Sequence, residues 1–572
     1  MVAKRLWLVG VSSLLVACQR GDGTGTTLPP CTGGTALSLA VGAYQAIDPT
    51  LNSGCTVFPA SASPTEYLLV SQAASGIPND TQSFKLQGSA LAPSAIAPQF
   101  AAPAASPAEL SPADQFHLFL RQAERSRVYP APPPPQRAPG AQPAAQAAAQ
   151  APPPPRRPLT AADSGMVNSF KVCGDLNCKT QPSVDAALMK IGRHIALYVD
   201  TAAPQPGLSQ LDLDALRAVF DTQLYEIDTT AFGRESDIDR DSVVIVLMTN
   251  RVNQLVTAAD CTSKGFVAGY FFGADIDPFY ATQYNNGEIF YSIVPDPNGT
   301  LSCAHSVAGV KRLVPVTFIH EFQHMISYNH HVLERRGEAE ILWLNESLSH
   351  YAEELGGRSF LPADTATYCN YVFGDVYNSA QYFQAPQSYF LVDTSGIGAL
   401  ASRGAYWLFL RYILDQYSGD TSFAQRSLFT RKLDMTSLTG PENVATQTGQ
   451  SFQLLLERWT LANWVSDLPG FATPAELQYK MWRFRTDYGT LKTRCPSPPL
   501  NTGALPATLP LVPGVGAGNG VNLSGILRAG SGTYFRVQQA AGTAGFTVLF
   551  SDGLGRALRT AIVPRLNVMR IQ

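Results

Sequence analysis

The sequence predicts an α+β protein built from several modules. These are a mixed sheet with one buried helix across it, a mainly helical second lobe, and small β modules at the flanks. Three observations lead there. Strand words alternate through Ser169-Phe170-Lys171-Val172, Ile195 to Val199, Val243 to Met248 and Glu288 to Val294, with a helical pattern over about 211–232 between the second and third. After Gly356 the pattern is mainly helical, as in the apolar stretch Arg403 to Tyr417, with Tyr406, Leu408, Leu410, Tyr412 and Ile413, which ends at Ser418-Gly419. At both ends short strand words are separated by glycine turns, such as Glu66 to Ser71 and Gly545 to Phe550. A chain of 572 residues is too long for one core, so three or four modules are expected. A net charge of −3 gives no sign of a polyanion partner, so no nucleic-acid function is expected.

At the N-terminus, Lys4 and Arg5 precede an apolar run from Leu6 to Ala17, too short to span a bilayer. This is the pattern of a signal peptide over 1–18. Its end, Leu15-Val16-Ala17-Cys18, reads as a bacterial lipobox, so Cys18 is the candidate lipidation site and the membrane partner would be reached through a lipid anchor. The chain is then expected at the bacterial cell surface or outer membrane, with Gln19 suiting the latter; an ordinary signal peptide would make it secreted. A charged fraction of 15% suits either destination better than the cytosol. Residues 19–30 read as a flexible tether.

Setting Cys18 aside, the nine cysteines leave eight, an even number in an oxidising compartment. Sequence allows 105 pairings; close spacing favours Cys31–Cys55 and Cys173–Cys178, and Cys261–Cys303 with Cys369–Cys495 is the expectation for the rest, which sequence does not fix. No CxxC occurs, so these are structural cysteines.

Residues 31–91 read as a small β module and 506–572 as another. Glu66 to Ala74 echoes Thr533 to Ala541, which raises the possibility that the two are related β-sandwich modules. Residues 92–160 are Ala/Pro-rich and read as a linker. Within it, Ser111-Pro112-Ala113-Asp114 caps a short amphipathic helix through about Arg125. Two readings of it stay open: a marginal helix in a linker, or a propeptide element lying in an active-site cleft. Residues 161–355 form the expected sheet-and-helix domain and 356–500 the helical lobe.

The chemistry is concentrated between Val314 and Leu355. His320-Glu321-Phe322-Gln323-His324 places two imidazoles one helical turn apart on the same face. Two His at that spacing can hold one Zn²⁺, with Glu321 beside the metal's water. With only 8 histidines in the chain, chance makes this pattern rare. A catalytic zinc needs a third protein ligand. His330 has the metzincin spacing, but the glycine position of that pattern is Ser327 and no Met-turn candidate is near. Glu346, opening a second helix at Trp343-Leu344-Asn345-Glu346, is the stronger candidate.

These words carry a resemblance. HExxH followed by Glu in a W-L-N-E context resembles the gluzincin metallopeptidases; His320 to Ser327 followed by Trp343 to Leu355 resembles more narrowly the hyicolysin family of secreted neutral metalloproteases. Asp237 to Asp241, Asn285 to Tyr291 and Arg403 to Tyr406 extend it over roughly residues 170–468. The resemblance implies a zincin (gluzincin-like) domain and a zinc metalloendopeptidase acting on polypeptides. His320, His324 and Glu346 would hold one Zn²⁺, and Glu321 would act as general base. It also implies an edge strand that receives substrate, for which Glu288 to Val294 is the candidate, and an oxyanion donor on the second lobe, with Tyr406 as a core-or-donor candidate. Where thermolysin-like enzymes carry an Asp four residues after the ligand Glu, this chain has His350; Glu353, one turn on, could orient a ligand His instead. Asp237-x-Asp239-x-Asp241 has the oxygen spacing of a Ca²⁺ loop without the glycine and distal Glu of an EF-hand, so structural Ca²⁺ and a plain polar turn both fit. The alternative function is a catalytically silent, surface-anchored binding or adhesion protein that keeps the protease fold. An exopeptidase is a further alternative, but no GxMEN-type word occurs.

Overall fold

The computed structural model describes residues 26–90, 110–130, 157–396, 399–495 and 505–572. Cys18, the signal peptide, most of the tether and most of the 92–160 linker lie outside the described residues. Among the described residues no helix is long and apolar enough to cross a membrane. The mixed α+β class holds.

Two terminal segments, expected as separate modules, share their sheets. The first sheet runs β1 (Tyr44–Ile47), β15 (Pro564–Arg570), β3 (Thr65–Ala73), β13 (Gly532–Gln539) and β11 (Gly514–Gly516). The second runs β12 (Asn522–Arg528), β4 (Thr81–Ala90), β14 (Phe546–Asp552) and β2 (Cys55–Phe58). Phe58, Leu69, Phe84, Phe535, Phe546 and Val568 fill a buried core of their own between them. Residues 31–91 and 506–572 are therefore one sandwich. The echoing segments are neighbours, with Tyr67 opposite Val537 in an antiparallel pair. The sandwich docks on the helical lobe through Gln72, which donates to Leu456 O (3.0 Å) and accepts from Thr460 Oγ1 (3.1 Å) and Asn567 Nδ2 (2.7 Å).

The central sheet comprises β5 (Val167–Lys171), β6 (Ser183–Ile191), β7 (Ile195–Asp200), β8 (Val244–Met248), β9 (Gly269–Phe271) and β10 (Ile289–Ser292). Their order is β5-β6-β7-β8-β10-β9. β7, β8 and β10 pair in parallel, and β8 is buried at every position, as its unbroken apolar run requires. β10, expected at the edge, lies inside the sheet. Its continuous apolar sequence is that of a strand flanked on both sides. The edge is the three-residue β9, antiparallel to β10.

A helix from Val307 to Tyr328 packs against β9 and β10. Pro315 sits inside it, two turns from its start. Ser306 caps it, accepting from Gly309 N (3.1 Å). The second motif helix, Leu342–Arg358, is buried from Leu342 through Gly357. Gly356 faces Tyr371, where an added Cβ would lie 2.8 Å from the ring, so the helix Thr365–Gln384 can approach closely. Helices Thr365–Gln384, Ala399–Tyr417, Phe423–Asp434, Phe452–Val465 and Phe484–Arg494 form the second lobe. Buried Arg411 ties it to the motif helix, pairing with Asp415 (2.7 Å) and Glu354 (3.4 Å). The four disulfides are Cys31–Cys55, Cys173–Cys178, Cys261–Cys303 and Cys369–Cys495, the pairs expected.

The linker helix forms over Pro112–Ser126, with Ser111 accepting from Asp114 N (3.1 Å). Phe116, Leu120 and Ala123 are buried. It is not an isolated linker element: it lies in the cleft between β9 and the second lobe.

Candidate metal centre

His320 and His324 project from consecutive turns of the Val307–Tyr328 helix, with their Nε2 atoms 3.2 Å apart. Glu346, one turn into the facing helix Leu342–Arg358, brings Oε2 to 3.7 Å from His320 Nε2 and Oε1 to 3.4 Å from His324 Nε2. Three ligands at the usual Zn–N and Zn–O distances stand roughly 3.3–3.5 Å from one another, so these spacings fit a single zinc. Each Nδ1 faces an acceptor. Glu353 Oε1 lies 2.7 Å from His320 Nδ1, and Asn345 Oδ1 bonds His324 Nδ1. Those acceptors assign the ring protons to Nδ1 and leave both Nε2 lone pairs pointing at the shared centre. Glu346 Oε2 is buried without a hydrogen-bond partner among the described residues. Two proton-free nitrogens and an orphaned carboxylate oxygen are what a cation would satisfy. Against the cost of burial, His117, His324 and Arg403 hold the Glu346 carboxyl well below the usual range.

Glu321 lines the adjoining cleft of about 260 Å³ together with Gly269, His320 and Glu353. Its Oε2 accepts from Phe271 N of edge strand β9 (3.0 Å). Burial raises its pKa, opposed by His320 and Arg121. His350 stands 3.1 Å from Glu353 and 2.9 Å from Asp375. Burial disfavours its charge, but the two carboxylates outweigh that and push it up to about 10. Glu353 is thus clamped between His350 and His320.

The other sequence candidates fall elsewhere. His330 lies in the turn Asn329–Glu334 and bonds Glu334 (2.8 Å), outside the group that gathers around Glu346. Tyr406 is a core residue whose OH donates to Asp393 (2.9 Å). Asp237, Asp239 and Glu288 gather with a carboxylate oxygen of each within 4.8 Å of the others, and Asp241 N donates to Asp239 Oδ1 (3.3 Å).

Sequence reasoning missed His117. Its Nε2 bonds Glu346 Oε1, and it completes a group of four donor atoms with His320, His324 and Glu346, all within 4.8 Å of one another. Burial lowers its pKa to about 4, against the pull of Glu346, so the ring is neutral. Only the scarcity of histidine could have drawn attention to it. Arg403, 3.2 Å from Asp114, was seen only as part of a resembling word.

Two His and a Glu converge beside a buried carboxylate, a group that could hold a metal ion. No protein-family model matches the chain. It is similar to the neutral metalloprotease ShpI of Staphylococcus hyicus, at 26% identity over 137 residues. That match covers 24% of this chain and 29% of the relative, so the chain spans under a third of that protein's length. The similarity supports a metalloprotease, and the four disulfides fit an extracellular setting.

Proposed function

We propose that the protein is a zinc-dependent endopeptidase of gluzincin type, hydrolysing peptide bonds of extracellular proteins. His320, His324 and Glu346 hold the metal and Glu321 is the general base. The observation that carries this is the convergence of three ligand atoms beside Glu321 at a sheet edge. Zinc bound there would supply a Lewis acid for the scissile carbonyl and lower the pKa of the attacking water. Glu321 takes the proton of that water and delivers it to the leaving amine. The outer edge of β9, covered here by the helix Pro112–Ser126, would receive the substrate backbone as an added strand, and Phe271 N, now bonded to Glu321, would be one of its donors. Cys18 carries the lipid that anchors the protein at the bacterial surface. Asp237, Asp239 and Glu288 hold a structural Ca²⁺.

The test is metal content with casein cleavage, comparing wild type, Glu321→Gln and Glu346→Ala. Glu321→Gln should keep about one zinc per chain and lose activity; Glu346→Ala should lose both. A Glu321→Gln variant with full activity would end the mechanism. One observation favours a second reading, a catalytically silent surface-anchored binding protein: a helix of the chain itself fills the cleft. Buried Glu321 has no use in that reading.

A further inference from the structure

A zinc site that activates water keeps one coordination position open. Here a fourth protein donor, from His117, lies within 4.8 Å of the three candidate ligand atoms. His117 Nε2 reaches Glu346 Oε1, and the His117 ring lies 5.8 and 5.5 Å from those of His320 and His324. The helix that carries it also covers the strand a substrate would pair with. Phe116 packs edge-on against Tyr270 of β9 (4.9 Å), and Arg121 donates to Phe271 O (3.4 Å), a backbone acceptor of the same strand.

The geometry points to an internal latch: the helix Pro112–Ser126 closes the active-site cleft, and His117 occupies the metal's water position as a removable fourth ligand. This inference rests on the zinc-site reading above. Three further contacts hold the helix down from outside the metal centre. Arg127 grips Asp277 with two hydrogen bonds (2.8 and 2.9 Å), Arg125 donates to Ala339 O (2.6 Å), and Asp114 pairs with Arg403 (3.2 Å). By sequence the helix is flanked on both sides by Ala/Pro-rich stretches, residues 92–109 and 131–156. While both stretches are intact the latch binds intramolecularly, at a high effective concentration. Cutting both would leave a short peptide that is marginal as a helix in water and diluted by diffusion.

The experiment loads the full chain with Co²⁺ in place of zinc and titrates acetohydroxamate, a bidentate ligand for an open metal position, following the visible Co²⁺ spectrum. Wild type should bind it weakly. His117→Ala should bind it at least about tenfold more tightly, since apparent affinity scales with the open fraction. Arg127→Ala, remote from the metal, should fall between the two and guards against a folding defect in His117→Ala. Casein cleavage should rise in the same order. Equal hydroxamate affinity in wild type and His117→Ala overturns the latch while leaving the zinc site intact. Loss of Co²⁺ from His117→Ala also overturns it, because His117 would then be a permanent ligand. A wild type that binds no Co²⁺ sinks the latch and the zinc reading together. If the variants open to hydroxamate but cleave nothing, the latch stands and the peptidase reading fails.

Discussion

Glu353→Ala should weaken zinc binding much more than Asn345→Ala, although each removes the hydrogen-bond partner of one ligand histidine. Glu353 is a carboxylate 2.7 Å from His320 Nδ1, and its side chain is 11% exposed. A hydrogen bond to a charged partner contributes roughly 1.5–3 kcal/mol, and about 2 kcal/mol is a factor of about 30 in affinity. That lies within the range expected when a histidine's outer partner is removed, about 10–100-fold. No described neighbour replaces it, because His350, the next group at 3.1 Å, is itself a donor. Asn345 is a neutral acceptor whose bond contributes only about 0.5–1.5 kcal/mol. Ser349 Oγ already lies 3.0 Å from His324 Nδ1 and can accept in its place. Asn345→Ala should therefore cost less than about tenfold. The assay is a competition titration of each variant against a chelator of known zinc affinity, with far-UV circular dichroism as a check on folding. Equal losses, or the larger loss in Asn345→Ala, would refute the reasoning that Glu353 orients the site.

His330→Ala should leave metal content unchanged, measured by atomic absorption beside Glu346→Ala, which should lose it. Glu340 accepts from Ile341 N (2.7 Å), Gly440 N (2.7 Å) and Asn443 Nδ2 (2.9 Å) in the interior. Glu340→Ala orphans the two backbone donors, leaves Asn443 Nδ2 only its bond to Leu433 O (2.7 Å), and should lower stability by roughly 3–5 kcal/mol in urea titrations. Replacing Cys369 and Cys495 by Ser opens a link between residues 126 apart and should cost about 2–5 kcal/mol by the same measurement. Burial first, and then Asp239, push Glu288 up to about 8 from an ordinary 4.5. The folded chain then keeps a proton that the unfolded chain releases, so this contribution is fully present below pH 4.5 and lost as pH rises towards 8. Thermal melts without Ca²⁺ should show that decline, Glu288→Gln should flatten it, and Ca²⁺ should raise the wild-type midpoint at pH 8.

The parts of the site that follow one local period were legible from sequence. His320, Glu321 and His324 share a helix, and Glu346 opens the next, so helical spacing was enough to bring them forward. His117 obeys no such rule, because 229 residues separate it from Glu346 and its amphipathic helix looks like any capped helix in a linker. The edge strand failed for a related reason. β9 is three residues with a glycine at its start, too short to show a period, whereas apolar β10 draws attention precisely because it is interior. The sandwich is a matter of pairing rather than propensity. Its strands were readable one by one, but β3 lies against β13 and β15 across almost the whole chain, and only the echo of Glu66 to Ala74 hinted at it.

The most direct test of the central claim is anomalous diffraction at the zinc absorption edge from crystals of the full chain grown with zinc. The account predicts one strong peak about 2.0–2.2 Å from His320 Nε2, His324 Nε2 and a Glu346 carboxylate oxygen. A peak held instead by His330 and Glu334, or no ordered zinc between the two helices, would contradict it.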